Sequence, residues 1–165
     1  KTFSIQVLIP ELVSAGLEPV SGTETDTEKL YATRPAWYDL LSEILKPRTT
    51  VSPDVVEKSR FLYEGAEVTL DEKSVSKSLA KDGAGSILEA AHAALLPVSE
   101  WTPANIDAAL EVLPEELDLK KRVVFQAIRV AECGNMVSPP LGESMALLGK
   151  DIALARLERA LKIAQ

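Results

Sequence analysis

Apolar residues in this chain recur at helical intervals and almost never alternate, a pattern that limits the fold to helices. The segment 150–164 places Leu154, Leu157 and Leu161 at i, i+3 and i+7, with Arg156, Arg159 and Lys162 on other faces. Leu79, Leu88, Leu95 and Leu96 sit among Ala90, Ala91, Ala93 and Ala94, a stretch of high helix propensity. Aromatic residues make up 5% of the chain, and β-branched clusters stop at pairs such as Val55-Val56 and Val123-Val124. That composition argues against a β domain.

The helix starts are legible. Ser52-Pro53, Thr102-Pro103 and Ser138-Pro139 each put a hydroxyl at the N-cap and a proline at the first helical position, where its missing N–H costs nothing. Val51 with Val56 and Trp101 with Ile106 form hydrophobic staples across two of these starts. At the third, Val137 faces Gly142 and no staple forms. The pattern predicts helices near 4–15, 27–46, 53–63, 71–81, 84–96, 103–112, 114–117, 120–132, 139–148 and 150–164, with a Gly/Ser/Thr/Glu-rich loop at 16–27. With 165 residues the chain suits one ordinary domain or two small ones. The connector Leu96-Pro97-Val98-Ser99-Glu100 is the expected boundary, giving two small helical bundles in tandem over 1–97 and 98–165.

Net charge is −7, which at first sight argues against nucleic acid. The charge is unevenly spread. Residues 98–118 carry six acids and no base, whereas residues 119–165 carry eight Lys and Arg against four acids. A polyanion would meet the last third first, although a basic terminal helix also complements its own dipole. No uninterrupted apolar run approaches the roughly 18 residues of a membrane span, and the first residues lack the layout of a signal peptide. One cysteine and one histidine exclude a disulfide framework and a Cys/His zinc site. A reduced, cytoplasmic setting is expected, with no metal.

Catalytic constellations are missing. His92 lies in an alanine-rich helix, where a satisfied or half-exposed histidine is the expectation. Cys133 precedes Gly134 at a helix end and reads as a buried small hydrophobe. Neither a phosphate-cradling loop nor a dinucleotide fingerprint occurs. Asp71-Glu72 and Glu115-Glu116 sit in first helical turns, where the dipole favours acids. Ser74-Val75-Ser76-Lys77-Ser78 imitates a synthetase loop motif but lies in an amphipathic pattern, and reads as helix surface.

The informative stretch is 100–161. Glu100-Trp101-Thr102-Pro103-Ala104-Asn105-Ile106 is followed by Asp118-Leu119-Lys120-Lys121. Then come Phe125-Gln126-Ala127-Ile128-Arg129-Val130-Ala131-Glu132-Cys133-Gly134, Val137-Ser138-Pro139-Pro140-Leu141, and Leu147-Leu148-Gly149-Lys150-Asp151-Ile152-Ala153-Leu154-Ala155-Arg156-Leu157. In order and almost without gaps, these resemble the C-terminal anticodon-binding region of bacterial-type glutamate–tRNA ligases, class I aminoacyl-tRNA synthetases. Residues 1–97 resemble the preceding helical domain more loosely, through 8–17, 40–43 and Phe61-Leu62-Tyr63.

The resemblance implies a chain without catalytic activity of its own, cut from a ligase whose separate catalytic domain uses ATP and Mg²⁺. It implies the anticodon stem-loop of tRNA(Glu) and that catalytic domain as partners, a monomer, and no cofactor in this chain. The family's arginine before its Thr-Gly turn falls on Arg129, and its anticodon-contacting loop on Ser138, Pro139 and Leu141. Lys121, Arg122 and Arg156 would hold RNA backbone. Arg34 is the nearest counterpart of the arginine that helps read the last anticodon base. Departures from the family pattern are Glu132-Cys133 in place of Leu-Thr, expected to put a negative charge beside the RNA surface, and Gly142 in place of a bulky residue, expected to remove a packing anchor. Other readings of the same residues stay open: Arg129 pairing with Glu132 at i, i+3, Ser138 as a helix cap, and an acidic helical adaptor that binds protein and no RNA.

Overall fold

A computed structural model describes residues 5–18, 27–46 and 52–164, which hold helices and no strand. The helices are α1 (Ile5–Ser14), α2 (Thr27–Thr33), α3 (Pro35–Leu45), α4 (Ser52–Ser59), α5 (Glu72–Lys77), α6 (Ala84–Leu95), α7 (Pro103–Glu111), α8 (Leu113–Glu116), α9 (Lys121–Cys133), α10 (Leu141–Leu148) and α11 (Lys150–Ala164), with a 3₁₀ turn at Arg60–Tyr63. The expected all-α class holds. The Val51–Val56 staple, the Ser52-Pro53 cap and most of the 16–27 loop lie outside the described residues and side chains.

The chain forms two compact units, Lys1–Tyr63 and Glu64–Gln165. The expected boundary at 97/98 is therefore corrected to 63/64. The reason is that the helices on both sides of the 96–100 connector share one core. Leu88, Ala91 and Leu95 of α6 are buried together with Ile106 and Leu110 of α7, Ile128 and Val130 of α9, and Leu157 of α11. Lys150 fastens the connector itself, its Nζ donating to the carbonyls of Leu96 at 2.7 Å and Val98 at 2.6 Å. Burying each such leucine or isoleucine contributes roughly 1.5–3 kcal/mol, so a core shared in this way cannot be divided cheaply.

In the first unit, Leu8, Ile9, Leu12 and Val13 form the buried face of α1, packed against α2, α3 and α4. The single helix expected over 27–46 is broken at Arg34, whose φ of −156° and ψ of 65° are not helical. Pro35 is the cause: its ring disfavours helical geometry in the residue before it, and it then starts α3 well.

In the second unit, Thr102 caps α7 as expected, its hydroxyl accepting from the Asn105 N–H at 3.3 Å. Trp101 joins α7 to α10 by donating from Nε1 to the Met145 carbonyl at 2.8 Å. The helix expected from 139 begins instead at Leu141, with Pro140 as its N-cap. Ser138 is not the cap, because its hydroxyl is engaged elsewhere. His92 is a half-exposed helical histidine beside Glu158 Oε1 at 3.0 Å.

Candidate nucleic-acid interface

The turn between α9 and α10 gathers three of the sequence-predicted residues. Helix α9 ends at Gly134, whose φ of +79° lies in the left-handed region. Crowding adds to this requirement: a Cβ on Gly134 would stand 2.0 Å from the Thr69 carbonyl oxygen. The Gly134 carbonyl in turn accepts from the Asp71 N–H at 2.8 Å. One turn before the end of α9, Arg129 reaches forward. Its Nη1 donates to Ser138 Oγ at 2.5 Å and to the Pro139 carbonyl at 2.9 Å. Ser138 Oγ also donates to that carbonyl, at 2.9 Å.

The pairing of Arg129 with Glu132 is thereby replaced by a pairing with the turn. Among the described residues no hydrogen bond uses Nε or Nη2 of Arg129, so its half-buried guanidinium is fixed on one side by the turn. Next to it Val137 is 86% exposed, an apolar side chain at the tip of the turn. Pro139 and Leu141 are buried, so they form the floor of the turn.

The start of α10 has no side-chain cap, yet it is not open. Asp107 of α7 covers it: a Cβ on Gly142 would lie 2.3 Å from Asp107 Oδ1. Gly142 thus admits a carboxylate rather than simply lacking an anchor. Burial, followed by the nearby Glu143 and Glu111 charges, holds the Asp107 carboxyl above its usual range, while Lys121 acts in the opposite sense.

Two further expectations are corrected. Arg156 is 1% exposed and cannot hold RNA backbone. Its Nε donates to the Gly65 carbonyl at 2.6 Å and its Nη1 to the Glu132 carbonyl at 2.5 Å, which ties α11 to α9 and to the chain before α5. Glu132 is fully buried and puts no charge beside an RNA surface. Among the described residues neither of its carboxylate oxygens has a hydrogen-bond partner, and burial pushes its pKa well above the ordinary value, with Arg156 opposing. Cys133 is buried as expected, and burial raises its thiol pKa to about 11.

Lys121 and Arg122 are exposed on the first turn of α9, about 12 Å along the helix from Arg129. Lys121 Nζ lies 5.5 Å from the centre of the Phe125 ring. Arg34 belongs to the first unit and is committed there. It is ion-paired with the buried Glu18, which also accepts from the Tyr63 hydroxyl at 2.7 Å, and its guanidinium stands 3.8 Å from the Trp37 ring centre.

Sequence reasoning missed the backing of the turn. Asp71 caps α5, accepting from the Ser74 N–H at 2.9 Å and its hydroxyl at 2.7 Å. These two bonds hold the Asp71 carboxyl below its usual pKa. Ser74 Oγ then accepts from the Met136 N–H at 3.3 Å, and Asn135 Oδ1 from the Val137 N–H at 3.1 Å. Ser74 and Ser78, expected on a helix surface, are both buried. The spacing Asp71-x-x-Ser74 was the available signal, since it marks a helix cap.

On an all-helical scaffold, the glycine-capped end of α9 thus presents Arg129 beside a turn built on Ser138 and Pro139. The chain belongs to the anticodon binding domain family, whose model matches residues 11–161. Its relatives there are glutamate–tRNA ligases. That of Saccharopolyspora erythraea is 39% identical over 158 residues, covering 95% of this chain and 30% of that protein. That of Corynebacterium diphtheriae is 47% identical over 122 residues, covering 73% of this chain and 24% of that protein. The fold is similar to a crystal structure of a glutamate tRNA ligase from Elizabethkingia meningosepticum in complex with its amino acid. The TM-score is 0.77 at 17% identity, over 99% of this chain and 30% of that one. The chain therefore spans less than a third of the relatives it matches.

Proposed function

We propose that this chain is the anticodon-gripping part of a glutamate–tRNA ligase, which positions tRNA(Glu) for ATP-dependent aminoacylation by a catalytic domain of the same parent. ATP and Mg²⁺ would serve that catalytic domain and not these helices. The chain works as a monomer in the cytoplasm. None of the described helices is long and apolar enough to cross a membrane.

The observation that carries the proposal is Arg129. The turn holds its guanidinium in one orientation. Unpaired anticodon bases are read by stacking them on side-chain planes and hydrogen-bonding their edges, and a fixed guanidinium does both. Ser138 and Pro139 orient the arginine, Leu141 supports the turn from below, and Lys121 and Arg122 meet phosphate. Arg34, stacked on Trp37 and anchored by Glu18, offers a second planar cation in the other unit.

Binding of a tRNA(Glu) anticodon stem-loop to the chain tests this. Arg129→Ala should weaken binding by about 1–3 kcal/mol and relax specificity at one base. Lys121→Ala and Arg122→Ala should weaken cognate and non-cognate binding alike, each lowering the salt slope by about 0.7. A chain that binds no tRNA even at low salt would instead be an acidic protein-interaction adaptor.

A further inference from the structure

Ser74 is 2% exposed, and its hydroxyl bridges segments 62 residues apart in sequence. A hydroxyl has one proton to give. Here it goes to Asp71 Oδ2 at 2.7 Å, which leaves the oxygen free to accept from the Met136 N–H. Asp71 is itself joined to the turn through Gly134, and Arg129 holds Ser138 and Pro139 at the far end. The turn is thus clamped from two sides, with the Val137 side chain projecting between the clamps.

We infer that Ser74 is a positioning residue for anticodon recognition: by holding the Met136 N–H it fixes the backbone that carries Val137 and Ser138 toward the nucleotides. The inference rests on the anticodon-binding reading above and adds to it a residue that touches no RNA. Ser74→Ala is a clean probe, because the backbone N–H of residue 74 still caps α5 through Asp71. The hydroxyl's bond from the Met136 N–H is lost, together with its bond to Asp71 Oδ2 and its 3.4 Å approach to Asn135 Oδ1.

The experiment titrates the full 165-residue chain with two RNA stem-loops, one carrying a glutamate anticodon and one with those bases replaced. Ser74→Ala should weaken cognate binding about two- to tenfold, the range for losing one neutral hydrogen bond, and leave the substituted stem-loop unaffected. Discrimination then falls by the same factor, and hydrogen exchange at the Met136 amide speeds up. Asn135→Ala, at an exposed position, removes the acceptor for the Val137 N–H and should act in the same direction even if Ser74→Ala fails to fold. A variant that melts earlier while keeping full discrimination between the stem-loops overturns the inference, because a purely structural role predicts that result. Wild-type chain that binds neither stem-loop defeats the anticodon reading and this inference together, whereas unchanged discrimination in both variants defeats this inference alone.

Discussion

At residue scale, the chain departs most from its resemblance at Glu132. Its carboxyl is raised by burial above the ordinary 4.5, so the folded state takes up a proton over a range where the unfolded chain has lost it. The stabilising contribution is complete below that ordinary value and is lost as pH rises through the folded one. Urea denaturation of Glu132→Gln beside the parent chain should therefore show the variant gaining relative stability as pH rises above the ordinary carboxylate value. Equal slopes would mean that the buried carboxylate is already compensated. Gly134 is constrained more simply. Gly134→Ala must place a side chain at positive φ against the Thr69 carbonyl, and should cost about 2 kcal/mol or more in the same assay. Sequence alone could not place Arg156. A basic residue in an amphipathic helix shows its charge in the sequence, but the carbonyl that accepts from it belongs to Gly65, 91 positions away.

At the scale of elements, helix starts were the most legible feature, because capping is local chemistry. Thr102 caps α7 and Asp71 caps α5. Where two local signals conflict, only packing decides. Ser138-Pro139 carries the signature of a start, yet Arg129 takes the hydroxyl and α10 begins at Leu141. Pro35 was an equally local signal that the helical pattern over 27–46 had masked. The start of α10 gives an element-level test. Gly142→Ala alone should destabilise by about 1–3 kcal/mol through its clash with Asp107. In an Asp107→Ala background the same change should become neutral or gain up to about 1 kcal/mol of helix propensity. Additive effects of the two substitutions, measured by thermal melts, would show that the carboxylate does not occupy that space.

At the scale of the whole molecule, the all-α class was readable from periodicity, while the division into units was not. A connector such as 96–100 has the composition of a boundary whether or not its flanking helices share a core, and here Lys150 and Leu95 bind it into one. A fragment covering 64–165 should accordingly unfold in one cooperative urea transition, and a fragment covering 98–165, stripped of α6, should show no cooperative transition. The lone thiol adds a native reporter at this scale. Cys133 sits at the end of α9, hidden from solvent and poorly ionised. An alkylating dye would therefore stay silent on the intact chain and label it only when α9 lifts away from its neighbours. Labelling kinetics alone, with no engineered probe, would time the opening of the region that carries Arg129, and bound RNA should slow that clock.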